Sequence, residues 1–411
     1  MSPRTPGSGE GRSRGGSPAR RRGRPSGTRR REPRGASVVG QRYAATAGPV
    51  AHGGHVVARV GEEGRVVFVR HALPGEEVVV EITEGSEGDR FWRGDAVEIV
   101  TPSPDRVSPP CPYAGPGLCG GCDFQHVALP AQRALKAAVV REQLSRLAGL
   151  DVDVVVEQVT GASTGGAAGD PELERGLRWR TRQRYVALPG GQRGMRKHRS
   201  HEVIPVEDCL IARPDAREPG PGTVVEHVSA DGAEHAFTVA ADGFWQVHPG
   251  APRALVGAVL EALDPRPGES VLDLYAGVGL FAAFLADRVG PDGRVVAVEG
   301  DSRASALSQD NVPSAEVTAG DVGAVLSASY DSPFDLVVLD PPREGARRPV
   351  VEAVVARAPR AVAYVACDPA ALARDVAIFA EHGYVLRRLR AFDLFPMTHH
   401  VECVALLTKT G

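Results

Sequence analysis

The segment Val271-Leu272-Asp273-Leu274-Tyr275-Ala276-Gly277-Val278-Gly279 runs from an apolar strand into a glycine turn and on into a helical stretch. The same pattern then repeats. Leu280 to Arg288 reads as helix, Arg294 to Glu299 as strand, Ser302 to Asp310 as helix, and Phe334 to Asp340 and Ala361 to Ala366 as strands. Strand and helix alternating at this period predict a doubly wound α/β domain over residues 251–411. Two further β-rich runs, Tyr384 to Leu394 and His400 to Leu407, predict an antiparallel end to its sheet.

A chain of 411 residues can bury a large core and is expected to divide into two or three domains. No apolar run reaches membrane-spanning length and the N-terminus has no apolar signal core, so a cytoplasmic protein with no membrane partner is expected. In that setting six cysteines point to metal ligation or catalysis rather than to disulfides. The formal net charge of −3 hides an asymmetry: residues 1–36 hold eleven arginines against two glutamates. Rich in Gly, Ser and Pro, that stretch is expected to be a disordered tail. It suits a polyanion such as RNA, or serves as a solubilising arm.

Between Val56 and Val100 four short β-rich runs are separated by Gly, Pro and Asp turns, the spacing of a small β-barrel over residues 37–102. Its Ala58-Arg59, Gly64-Arg65-Val66-Val67-Phe68-Val69 and Ala72-Leu73-Pro74-Gly75-Glu76 resemble the TRAM domain, an OB-like barrel that accompanies RNA-modifying enzymes. Residues 103–250 then form a central α+β domain, with a helix expected over 129–148 and a low-complexity loop from Gly161 to Pro171. Within 177–210, arginines are interleaved with Trp179, Tyr185 and His198, as on a single-stranded RNA surface or a solvated hairpin.

Glycines at 277 and 279 let a backbone approach a ligand closely, and Glu299 ends the next strand where a carboxylate can accept ribose hydroxyls. A dinucleotide dehydrogenase is the rival, yet position 282 is Ala, and D-x-Y-A-G-x-G more closely resembles motif I of class I S-adenosylmethionine-dependent methyltransferases. Asp340-Pro341-Pro342-Arg343 ends another strand. Amino-group methyltransferases carry an aromatic ring where Arg343 stands, which disfavours exocyclic-amine methylation.

Cys367 stands at a strand end before a helix that begins at Pro369, a place that favours thiolate; a buried inert thiol is the alternative. Asp340-Pro341-Pro342-Arg343-Glu344-Gly345, Cys367-Asp368-Pro369 and the F-P-x-T-x-H-x-E run ending at Glu402 together resemble the RNA 5-methyluridine methyltransferases. That resemblance implies an RNA substrate, rRNA or tRNA, S-adenosylmethionine as methyl donor, Cys367 as nucleophile toward uracil C6 and Glu402 as general base. It further implies cofactor contacts from Gln246, Tyr275, Glu299 and Asp340. Cys403, alternating with Glu402 along a strand, is expected to be buried on the other face.

Cys111, Cys119, Cys122 and Cys209 supply four thiolates, enough for zinc or an iron-sulfur cluster. Cys119-Gly120-Gly121-Cys122 and Asp208-Cys209-Leu210-Ile211-Ala212 resemble the ligand motifs of family members that bind a 4Fe-4S cluster, so the resemblance implies that cluster, with a structural role. The seven residues between Cys111 and Cys119, with Leu280 and His248 at two positions where Asn is frequent, depart from the pattern. Two other readings remain: an RNA cytosine-C5 methyltransferase, against which Arg343 after Pro342 argues, and a non-catalytic RNA-binding factor on the same fold. No obligate protein partner is implied.

Overall fold

A computed structural model describes residues 35–161 and 170–410. The expected arginine-rich tail and most of the Gly161 to Pro171 loop lie outside the described residues.

Six strands build the barrel: β1 Arg42–Thr46, β2 Val50–Ala51, β3 His55–Val60, β4 Arg65–Arg70, β5 Glu77–Glu84 and β6 Phe91–Thr101, in the spatial order β1-β5-β6-β4-β3-β2. Their interior is the period-2 set Val56, Ala58, Val60, Val67, Val69, Val78, Val80 and Ile82. Glu76 closes the barrel. Fully buried, its carboxylate accepts the Leu73 N–H at 2.8 Å and the Ser103 N–H at 3.0 Å, and pairs with Arg106 at 2.6 Å. Four donors make burying this charge tolerable, and they fix the path by which the chain leaves the barrel.

Helix α1, Leu129–Ala148, ends at Gly149 with φ 66°, whose N–H caps the Leu144 and Ser145 carbonyls. Strand β7 is Val156–Gln158 and a single turn, α2, spans Pro171–Glu174. The next stretch is mostly short strands: β8 Arg180–Arg182, β9 Val186–Ala187, β10 Arg193–Arg196, β11 Val203–Pro205 and β12 Ala212–Arg217. A hairpin of β13 Thr223–Ala230 and β14 Ala233–Ala240 turns at Asp231 and Gly232, both at positive φ, as a two-residue hairpin loop requires.

The final layer alternates as the sequence predicts: α3 Ala251–Leu263, β15 Ser270–Leu274, α4 Leu280–Val289, β16 Arg294–Glu299, α5 Ser302–Asn311, β17 Glu316–Ala319, α6 Val322–Ala328, β18 Leu336–Leu339, α7 Arg347–Ala356, β19 Ala361–Ala366, α8 Pro369–Glu381, β20 Tyr384–Asp393 and β21 Glu402–Lys409. Its sheet has the order β17-β16-β15-β18-β19-β21-β20-β7. Neighbours from β17 to β19 are parallel, and β21 enters antiparallel to both β19 and β20. The order reverses at β15, which places a crevice at the carboxyl ends of β15 and β18.

The chain before residue 250 also contributes to this layer. Strand β7 pairs in parallel with β20, and α1 buries Ala137, Val140 and Leu144 in the same core as Leu372 and Val376 of α8. Lys136 holds that seam. Its side chain is completely buried, with Nζ 2.6 Å from Asp393 Oδ1 and 3.0 Å from the Phe395 carbonyl.

Breaking a buried pair from one side leaves the other charge stranded. Lys136→Met should therefore destabilise the protein by about 3–5 kcal/mol, while the double change Lys136→Met with Asp393→Leu should recover most of the loss. Thermal or urea unfolding of the three proteins checks this.

Candidate active site

Strand β15 delivers Asp273 and then Tyr275 to the crevice. Tyr275 has φ 63°, a left-handed conformation that a non-glycine residue holds only where its surroundings impose it. Gly277 and Gly279 follow at φ 56° and 93° and serve different ends. A side chain on Gly279 would meet Val312 at 2.8 Å and Ser308 at 2.9 Å, so this glycine lets α4 lie close to α5. One on Gly277 would meet nothing within 4 Å, so the space above it is open.

Carboxyl groups surround that space. Glu299, at the end of β16, accepts the Gly277 N–H at 2.8 Å and the Asp301 N–H at 2.7 Å. Asp273 is fully buried; its Oδ2 accepts the Ala282 N–H at 2.9 Å while Oδ1 has no partner. Burial, with Asp340 and Glu299 nearby, pushes the Asp273 carboxyl up to about 8. Asp340, at the end of β18, is likewise raised by burial and by Glu299. An orphaned buried carboxyl oxygen beside two more acids and an open glycine turn fits a cationic ligand, and S-adenosylmethionine is one.

Cys367 and Glu402 meet through strand register. Ala366 of β19 faces Cys403 of β21, so the residues just beyond, Cys367 and Glu402, end the two strands side by side. Both belong to one charged cluster: burial and Asp340 raise Glu402, and Arg343 opposes them. Asp375 of α8 holds the Asp340 to Arg347 loop in place. Its Oδ2 accepts the Ala346 N–H at 2.7 Å, the Arg347 N–H at 3.2 Å and the Tyr364 hydroxyl at 2.5 Å. Cys403 is fully buried in the core, with its thiol raised by that burial and by Glu402.

The helix N-terminus does not make Cys367 a thiolate at rest. Burial, Glu402, Asp340 and Asp368 push its thiol up to about 12, with Arg343 the cation that opposes them. Asp368 caps α8 by accepting the Ala371 N–H at 2.8 Å, so the charge at the helix start is answered by a carboxylate before the sulfur can use it.

The cavity in front of Cys367, about 90 Å³, is lined by the barrel as well: His52, Gly53 and Gly54 face Arg343, His399 and His400 across it. Sequence reasoning did not find these three, nor Asp123, whose Oδ2 lies 2.6 Å from His399 Nδ1. The Gly53-Gly54 pair was the available signal. His400 Nε2 lies 3.3 Å from an Arg343 nitrogen, and burial with its cationic neighbours lowers its pKa to about 3.

Gln246 sits apart from this cluster, in a groove of about 630 Å³ with Thr181, Arg217 and Trp245. Trp179, expected on an RNA surface or a solvated hairpin, is a core residue only 2% exposed, packed on His248 and Phe395. Burial of so large a ring outweighs display. His248 is buried and its Nδ1 accepts the Gly250 N–H at 3.1 Å.

Cys111, Cys119, Cys122 and Cys209 line one pocket. Cys119 Sγ accepts the Gly121 N–H at 3.4 Å, and Cys122 Sγ lies 3.4 Å from Gln125 Nε2. Among the described residues no group of three or more His, Cys, Asp or Glu side chains is placed to hold a metal ion. Nor is any described helix long and apolar enough to cross a membrane.

Asp273 generates a stability test. Its unfolded carboxyl titrates near ~3.9 and its folded one near about 8. The folded chain therefore holds the proton between those values, and this contribution is full below the lower value and is lost as pH rises through the upper one. Unfolding of the ligand-free protein from about pH 5 to pH 8 should show stability falling by up to about 1.4 kcal/mol per pH unit from this group. Asp273→Asn, which keeps an acceptor for Ala282, should flatten that slope.

Three family models match the chain: TRAM domain over residues 36–97, Methyltransferase small domain over 256–364 and tRNA (Uracil-5-)-methyltransferase over 324–410. An RNA methyltransferase of Streptomyces avermitilis, described as uncharacterized, is 46% identical over 90% of this chain and 98% of its own length. The 23S rRNA (uracil(1939)-C(5))-methyltransferase RlmD of Shewanella sp. strain ANA-3 is 28% identical over 86% of this chain and 93% of its own. Among solved structures, the Pyrococcus abyssi tRNA (uracil-54, C5)-methyltransferase in complex with S-adenosyl-L-homocysteine superimposes with a TM-score of 0.63 at 20% identity, covering 89% of this chain and 99% of that one, a likeness of fold. The 46% identical relative, matched over nearly its whole length, together with the three family models, means that the chain belongs to the S-adenosylmethionine-dependent RNA uracil-C5 methyltransferase family.

Proposed function

We propose that this protein methylates C5 of a uridine in ribosomal or transfer RNA, in the cytoplasm, with Cys367 as nucleophile and Glu402 as general base. The observation that carries this reading is the strand register that sets Cys367 beside Glu402 at the edge of the acid-lined crevice. S-adenosylmethionine supplies the electrophilic methyl group, and Tyr275, Glu299 and Asp340 border the space that fits it. Gln246 lies in a separate groove, and its cofactor contact rests on the family resemblance alone.

Uracil C5 is a weak nucleophile. When the Cys367 sulfur bonds to C6, the C5–C6 π pair moves toward O4 and C5 becomes enolate-like. After C5 has taken the methyl group, Glu402 removes its proton, the C5–C6 double bond re-forms and the C6–S bond breaks, returning Cys367. A carboxyl raised by burial and by Asp340 is a stronger base once ionised, which suits this last step. Arg343, the cation that lowers both groups, favours the thiolate and the carboxylate that the cycle requires. In place of the second active-site cysteine of cytosine-C5 enzymes, Arg343 follows Pro342.

Cys367→Ala should abolish both methylation and trapping on RNA containing 5-fluorouridine. Glu402→Gln should lower turnover by about 10²–10⁴ and let the adduct accumulate on ordinary uridine. A covalent adduct formed by folded Cys367→Ala would falsify the assignment.

We further propose that Cys111, Cys119, Cys122 and Cys209 bind a 4Fe-4S cluster that ties residues 111–122 to the chain near Cys209. The support is four thiols on one pocket, with an N–H donor on Cys119 and an amide nitrogen beside Cys122. Cys119→Ala should lose iron and lower the melting temperature together; metal analysis of the wild type that finds zinc in place of iron rules the cluster out, and an iron-free variant of unchanged stability rules out its structural role.

A further inference from the structure

The turn between β2 and β3 reaches out of the barrel and into the catalytic cavity. Gly53 and Gly54 have φ 95° and 76°, and a side chain on Gly54 would come within 2.8 Å of His399 and 3.1 Å of Asp123. Only a bare backbone fits there. The wall it lies against is fixed in turn, because Arg70 of β4 lies 3.6 Å from Asp123 Oδ1 while Asp123 Oδ2 lies 2.6 Å from His399 Nδ1.

At the tip of this turn, His52 Nε2 lies 3.1 Å from Asp368 Oδ2. Asp368 follows Cys367 directly, and its other oxygen caps α8. We propose that His52 is a positioning residue for the nucleophile: reaching from the barrel, it holds Asp368 and so ties the seating of the barrel to the reactivity of Cys367. This rests on the reading of Cys367 as the nucleophile.

Free of a partner, the Asp368 carboxylate is a negative charge beside a sulfur that has to become negative itself. A donor from His52 draws that charge away from the sulfur and fixes the rotamer of Asp368, so the cap and the nucleophile keep one geometry. The other charged groups around Cys367 are Glu402, Asp340 and Arg343, and Lys136, His399 and His400 line the same cavity. All of these come from the central and catalytic segments. His52 is the polar side chain that the barrel adds, which makes barrel docking something the nucleophile can sense.

The test measures alkylation of Cys367 by iodoacetamide across pH, read on the Cys367 peptide by mass spectrometry in the full-length protein. Four forms are compared: wild type, His52→Ala, Asp368→Asn and the double variant. Asn is as good a helix cap as Asp, so Asp368→Asn preserves α8. His52→Ala should raise the midpoint of the alkylation profile by about half a pH unit, leaving about threefold less thiolate at a given pH. In the Asp368→Asn background the same change should do nothing. An unchanged midpoint in His52→Ala overturns the proposal, and so does an equal shift in both backgrounds. Because the readout is thiol reactivity rather than methyl transfer, it stands even if 5-fluorouridine trapping fails and the nucleophile reading falls with it.

Discussion

The antiparallel entry of β21 between β19 and β20 is the constraint on which the site depends. A parallel sheet alone presents strand ends that all carry their side chains toward the same edge, and β15, β16 and β18 use theirs for Asp273, Glu299 and Asp340. A carboxyl group adjacent to Cys367 has to arrive from a strand that begins where β19 ends. Strand β21 does so, with Cys403 opposite Ala366, and a slip of one residue would turn Glu402 into the core and Cys403 into the cavity. The full burial of Cys403 between apolar neighbours is what makes that slip costly.

The same geometry concentrates acids. Glu299 and Asp340 raise Asp273, Glu299 raises Asp340 and Asp340 raises Glu402, and burial raises all three of Asp273, Asp340 and Glu402 further. A site of this kind is destabilising when nothing cationic is bound, and the structure offsets it elsewhere. Lys136 with Asp393, Glu76 with Arg106 and Asp375 with three donors are buried polar groups that are satisfied. They sit where α1 meets β20, where the barrel ends and where the Asp340 loop turns, and Lys136 itself lines the cavity.

The elements and the motif residues were legible because their signals are local. Glycines at 277 and 279, the strand before Asp340 and the run to Glu402 each lie within a dozen residues, and the helix expected over 129–148 is α1. What could not be read are partners brought together by the fold: Asp123 and His399, or Lys136 and Asp393, separated by 276 and 257 positions. Trp179 shows the converse error. A tryptophan among arginines has the composition of a stacking surface, but composition does not say which face of a short strand is inward, and its ring is buried against His248. Cys367 shows a subtler one, since its place before a helix is correct while Asp368, one residue on, already spends the helix N-terminus on its own cap.

A resting thiol held near 12 is consistent with a nucleophile meant for one substrate. A cysteine that is thiolate in the empty enzyme is open to any oxidant or electrophile small enough to enter. Here three carboxyl groups oppose ionisation, and Arg343 alone among the neighbours of Cys367 named above favours it. On the proposed roles, reactivity then depends on how those acids are answered: a cation in the crevice answers Asp340, and the barrel answers Asp368 through the His52 contact. Each is supplied by a different part of the assembled complex, so the sulfur becomes competent in proportion to how completely the site has been built around it.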